Sequence, residues 1–118
     1  MNTYSDVEMF KFVQGRLNTG YFKLKLFEIG RLDAFILKYP SGSYVGWHRD
    51  KAPDGFAHYR MNLILIPAIG GHFFIQGKAI IKSKFFNFFR ADLYAHSVTT
   101  IKKGTRYVLS IGWLWKNK

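Results

Sequence analysis

From residue 21 onward, apolar residues fall in short runs separated by turn formers. The runs span 21–28, 34–39, 44–48, 59–66, 72–76, 79–82, 85–89, 95–101 and 106–115. They are rich in Phe, Tyr, Ile, Val and Trp, whose flat or branched side chains fit a pleated surface, so each predicts a strand. The breakers between them include Gly30, Pro40-Ser41-Gly42, Pro53-Asp54-Gly55, Pro67, Gly70-Gly71, Gly77 and Gly104. Gly77-Lys78 predicts a two-residue hairpin turn with glycine first, and Lys103-Gly104 a second tight turn. About eight strands with regular turns point to a sandwich or barrel, and eight is the jelly-roll number.

The first twenty residues follow a different rhythm. Ser5 and Asp6 can cap a helix, and Glu8 completes a capping-box pattern with Ser5. Val7, Phe10, Val13 and Leu17 then fall near a 3.6-residue period, which predicts one short N-terminal helix. Gly15 and Asn18-Thr19-Gly20 end it. No linker, repeat or low-complexity tract interrupts the chain. The expected organisation is one domain over 1–118, with 1–32 giving a supporting helix and strand and 33–116 a mainly β, jelly-roll core.

Composition narrows the chemistry. The 118 residues hold no cysteine, which excludes a disulfide scaffold and thiolate metal sites. No apolar run approaches the ~20 residues of a membrane-spanning helix. Asp6 and Glu8 stand where a secretory signal would be apolar, so a cytoplasmic location without membrane attachment is expected. The 18 Lys+Arg against 7 Asp+Glu give a formal net charge of +11. Such an excess serves solubility, or else a polyanionic partner such as nucleic acid or an acidic protein segment. Basic residues beside aromatics, as in Tyr21-Phe22-Lys23 and Lys84-Phe85-Phe86, suit stacking plus phosphate contact. Lysines on edge strands look the same. Oligomeric state is left open.

His48-Arg49-Asp50 carries the first sign of chemistry. Residues two apart on an extended segment share a face, so His48 and Asp50 present an imidazole and a carboxylate side by side. His96, in a later strand-like run, offers a third donor, and His58 and His72 remain spare. Two His and one carboxylate with open positions form the facial triad of non-haem Fe(II) oxygenases. Arg106 and Ser110 share a strand face further on. A buried guanidinium without a partner is heavily penalised, so an inward Arg106 calls for an anion, and a carboxylate matches its fork.

Tyr39-x-x-Gly42-x-x-Val45-x-x-His48-x-Asp50, then Gly70-Gly71, then His96, then Arg106, resembles the Fe(II)/2-oxoglutarate-dependent dioxygenases. The resemblance runs from Asp33 to Trp115. It implies a double-stranded β-helix, with His48, Asp50 and His96 as Fe(II) ligands and as the catalytic residues. It implies that Arg106 pairs with the distal carboxylate of the cosubstrate 2-oxoglutarate, with Ser110 as helper, and that Tyr39 hydrogen-bonds the cosubstrate. The stretch from Arg60 to Pro67 is similar to the aspartyl/asparaginyl-hydroxylase branch, which adds Arg60 and Asn62 to the cosubstrate set. The activity implied couples O2 and 2-oxoglutarate to hydroxylation or oxidative demethylation of a C–H bond, with the substrate unidentified. Gly70-Gly71-His72 departs from the Gly-Gly-Glu of prolyl-hydroxylase-like members, and the chain has few elements outside the core. The alternatives are a non-catalytic basic jelly-roll module that binds an acidic partner, and a zinc hydrolase built on the same three ligands. Trp47 faces away from His48, Trp113 and Trp115 pack against a neighbouring layer, and 51–58 is a lid or a plain connection.

Overall fold

A computed structural model of the chain describes residues 11–15 and 19–116. They form twelve strands: β1 (Phe12–Gln14), β2 (Phe22–Ile29), β3 (Leu32–Tyr39), β4 (Val45–His48), β5 (Phe56–Ile66), β6 (Ile69–Gly70), β7 (Phe73–Ile75), β8 (Ile81–Lys82), β9 (Phe86–Arg90), β10 (His96–Val98), β11 (Ile101–Lys103) and β12 (Arg106–Lys116). The described residues contain no helix, hence none long and apolar enough to cross a membrane.

Three expectations are corrected. The helix predicted from Ser5 to Leu17 is a strand where it can be followed, because Phe12–Gln14 pairs antiparallel with β2 (Phe12 opposite Leu24). An exposed β2 edge and two strand-favouring residues outweigh a short helical period, since a lone short helix is marginal. The rest of that prediction lies outside the described residues. The strand count is twelve, not about eight, partly because the run at 95–101 divides into β10 and β11 and short strands β1 and β6 are added. Finally, Gly77-Lys78 closes no hairpin: β7 pairs with β10, and β8 with β9.

Seven strands make the larger sheet, in the order β1-β2-β3-β12-β5-β9-β8. The smaller sheet runs β4-β10-β7, and β11 pairs with β6. The register across the larger sheet sets three rows on its inner face. Tyr39 lies opposite Arg106, Phe35–Ser110–Asn62 make a second row, and Asp33–Gly112–Arg60 a third. A hydrophobic cluster of Tyr21, Tyr39, Val45, Ile101 and Val108 closes one side of this interior. Phe89 of β9 is fully buried, with its ring against Phe73 and edge-on to His96 at 4.7 Å between centroids.

Phe89→Ala removes a ring that nothing else can replace. It is expected to lower unfolding free energy by about 3–5 kcal/mol, read from urea denaturation. A loss under about 1 kcal/mol contradicts this packing.

Candidate metal centre

The site forms where β4 meets β10. These strands pair antiparallel with His48 opposite His96, so the two rings sit 4.3 Å apart between centroids. Asp50 follows two residues after His48, and its N–H donates to the Ala91 carbonyl at 2.9 Å. The donor atoms of His48, Asp50 and His96 all lie within 4.8 Å of one another. His48 Nε2 is 3.4 Å from Asp50 Oδ1, and His96 Nε2 is 3.9 Å from Asp50 Oδ2.

The tautomers fit a metal as well as the spacing does. His48 Nδ1 donates to the Gly46 carbonyl at 2.9 Å, and His96 Nδ1 to the Tyr94 carbonyl at 3.0 Å. Each bond puts a proton on Nδ1 and turns Nε2 toward Asp50, the orientation expected of metal-bound imidazoles. Burial pushes the His96 pKa down to about 4, so this ring is neutral at physiological pH. Burial alone would raise the Asp50 pKa. The His48 hydrogen bond, the Arg60 charge and the histidines outweigh it and hold the carboxyl well below its usual range. Two imidazoles and one carboxylate on one side of the cavity therefore fit a divalent metal with positions left open.

Arg60 holds the site to the larger sheet. Its Nη2 donates to both Asp33 carboxylate oxygens, at 2.9 and 3.1 Å, and to His58 Nε2 at 3.2 Å. Nη1 donates to Ser110 Oγ at 2.8 Å, and Nε stands 3.5 Å from Asp50 Oδ2. The chain can take this path only over Gly112, where a Cβ would stand 2.2 Å from Nη2. His58 in turn faces the Lys51 carbonyl through Nδ1 at 3.3 Å, which ties the loop after β4 to the site.

Most of the sequence-predicted residues meet in one cavity of about 280 Å³: His48, Asp50, His96, Tyr39, Arg60, Asn62 and Ser110 all line it. Arg106 does not. It lines an adjoining cavity of about 500 Å³ that shares Tyr39, Asn62, Phe73 and Val98 with the first. Its Nη1 and Nη2 donate to the Gly71 and Gly70 carbonyls, at 2.5 and 2.7 Å. Gly71 has φ +72 and comes so close to Arg106 and Ile101 that a Cβ would clash with both. Among the described residues, Arg106 has no acidic partner, and its buried Nε has no hydrogen-bond acceptor. Asn62 Oδ1 is likewise buried without a donor, while Asn62 Nδ2 donates to Asn87. Ser110 serves Arg60 rather than Arg106, because four residues along a strand separate them by ~13 Å. His72 lies on the adjoining cavity, away from the triad.

Asp33, His58 and Gly112 were not singled out as site residues by the sequence. The alternation His58-x-Arg60-x-Asn62 was the available signal, since it sets three polar groups on one strand face.

No family model and no curated protein sequence matches the chain. Solved structures do match it. The cupin domain of Cnp3 from Schizosaccharomyces pombe aligns with a TM-score of 0.62 and 13% identity, over 87% of this chain and 67% of that one. A predicted oxalate decarboxylase from Thermotoga maritima aligns at 0.59 and 22% identity, over 80% and 81%. An RmlC-like cupin from Shewanella frigidimarina aligns at 0.54 and 14%, over 91% and 85%. The chain has the cupin, or double-stranded β-helix, fold. At these identities the likeness establishes the fold and leaves the chemistry to the site.

Gly112→Ala must push Arg60 off Asp33 and away from Asp50. Co(II) affinity, followed by visible absorption, is expected to fall about 10–100-fold; unchanged affinity refutes the role given to Arg60. A second prediction concerns acid. His96 ordinarily titrates near 6.5 and in the fold near 4, so the unfolded chain binds more protons between those values. In chelator, stability is full above about pH 6.5 and declines toward pH 4, by on the order of 2–3 kcal/mol. Asp50 acts in a separate, more acidic window because its pKa is lowered. Urea denaturation at several pH values should show a slope that His96→Gln flattens.

Proposed function

We propose that the chain is an Fe(II)- and 2-oxoglutarate-dependent oxygenase that hydroxylates, or oxidatively demethylates, a C–H bond of its substrate. The observation that carries this reading is the convergence of His48, Asp50 and His96 with both Nε2 atoms turned toward the carboxylate. Arg106 adds to it, as an inward cation without an acidic partner among the described residues, next to the metal cavity.

His48, Asp50 and His96 would hold the iron from one side. The bound metal and cosubstrate would supply O2 activation, with decarboxylation of 2-oxoglutarate to succinate. The remaining work belongs to the chain. Arg106 offers its Nε–H and charge to the distal carboxylate of the cosubstrate. Tyr39 and Asn62, which line both cavities, border the path between that cation and the metal ligands. Burial raises the Tyr39 pKa, so its hydroxyl stays protonated and can donate. Arg60 keeps Asp50 ionised and oriented. Phe73, Phe89, Val45 and Val98 present apolar walls that limit water at the site. The excess of positive charge favours a nucleic acid or an acidic protein segment as substrate.

Incubation with Fe(II), ascorbate and 2-oxoglutarate should release succinate, and His48→Ala should abolish it. Arg106→Ala should raise the KM for 2-oxoglutarate by about tenfold or more. Absent turnover by the iron-loaded chain, with nucleic acid bound in a strongly salt-dependent way, would instead favour the non-catalytic basic module.

A further inference from the structure

The larger sheet mixes polar groups into its inner face and is apolar over most of its outer face. Along β12, Arg106, Val108, Ser110 and Gly112 point into the interior; Arg106 meets Gly70, Ser110 meets Arg60, Gly112 underlies Arg60, and Val108 joins the hydrophobic cluster. Alternation then turns Leu109, Ile111 and Trp113 outward. The neighbouring β5 repeats this, with His58, Arg60 and Asn62 inside and Tyr59, Met61 and Leu63 outside. An antiparallel sheet that faces water ordinarily shows the opposite order, apolar inside and polar outside. Trp113, Tyr59 and Phe88 stack on this outer face with centroids 5.4 to 6.0 Å apart, yet none of the three is buried. Leu63 is 39% exposed and Leu32 41%. Among the described residues, no element packs over this face.

We propose that the outer face of the larger sheet is a docking surface for a second copy of this chain, giving a face-to-face dimer. Its size and its charge support this occupant. β12 is the middle strand of seven, so the apolar residues lie at the centre of the sheet and not at an edge. Five strands at ~4.8 Å spacing and about eight residues at ~3.3 Å give roughly 600 Å² in projection. Side-chain relief brings that to the ~600–1,000 Å² per partner of a stable protein interface. Among the described residues, this face holds no unused charge for an ionic partner. Lys38 lies over the Phe12 ring, and Arg90 is paired with Asp92 and lies over Tyr59. Two such faces complement each other, as in sandwiches whose sheets stack ~10 Å apart.

Each copy carries a formal net charge of +11, so the copies repel at a distance while the contact itself is apolar. Salt should therefore tighten the dimer, whereas a contact made of ion pairs would loosen. Sedimentation velocity of the full chain at about 10–100 µM should give twice the chain mass, more completely in about 1 M than in about 0.1 M NaCl. Leu109→Lys should give a monomer, and Leu63→Lys, at a position already part exposed, is the variant least able to disturb folding. Co(II) absorption at the triad reports that either variant is folded. Trp47→Ser, on an exposed position of β4, should leave the dimer intact. A wild-type monomer at about 100 µM, a dimer that persists in folded Leu63→Lys, or a monomer that binds phosphatidylcholine vesicles through this face overturns the proposal.

Discussion

A buried guanidinium must be paired, and Arg60 is paired across three strands at once. Asp33 on β3, Gly112 on β12 and Arg60 on β5 fall in one row of the sheet. The side chain crosses over the glycine to reach the carboxylate two strands away. This single contact fixes register. A one-residue slip of either strand would turn Arg60 or Asp33 to the opposite face, leaving the other as an uncompensated buried charge. Because Arg60 Nε also stands by Asp50, the same constraint places the carboxylate donor of the metal site relative to the larger sheet.

The two arginines of the interior divide their roles through their partners. Arg60 has two carboxylates, a hydroxyl and an imidazole around it, so its charge is balanced within the fold. Arg106 faces only backbone carbonyls, together with Tyr39, whose nearby hydroxyl keeps its charge from being wholly disfavoured by burial. Carbonyl dipoles orient a guanidinium without neutralising it. The interior thus contains one satisfied cation beside the donor triad and one cation still able to take an anion.

The triad was legible because its information is local. His48-x-Asp50 sets two donors on one face by alternation alone, and a β jelly roll brings a distant strand beside them. Apart from β1, the strands of the larger sheet were legible for the same reason, since dense β-branched and aromatic runs leave few other options. What was hidden depends on pairing. Nothing in Phe12-Val13-Gln14 says that β2 will offer an open edge, so a helical period there was misleading. The partition of 95–101 into β10 and β11 follows from their different partners, β4 and β7 for one and β6 for the other. Likewise Ser110 and Arg106 share a face, but distance along the strand gives the hydroxyl to Arg60. His58 looked spare because its two ring contacts, Lys51 and Arg60, are defined only once β5 is registered.

The polar interior and the apolar exterior are one design problem. Holding a metal ligand set, two arginines, Asp33 and Asn62 inside the barrel uses positions that would otherwise bury hydrocarbon. Among the described residues the buried hydrophobic cluster is small, five residues with Tyr21 and Tyr39 among them, with Leu37, Ile64, Ala68 and Val98 partly buried against it. A chain of this length already buries a modest fraction of its surface. Apolar area must then be buried elsewhere, and the outer face of β3, β12, β5 and β9 is where the sequence has put it. Adding charge to the interior of a small β fold and adding hydrocarbon to its outside are therefore linked. A functional interior of this kind favours an assembly in which the outside of the sheet becomes a second core.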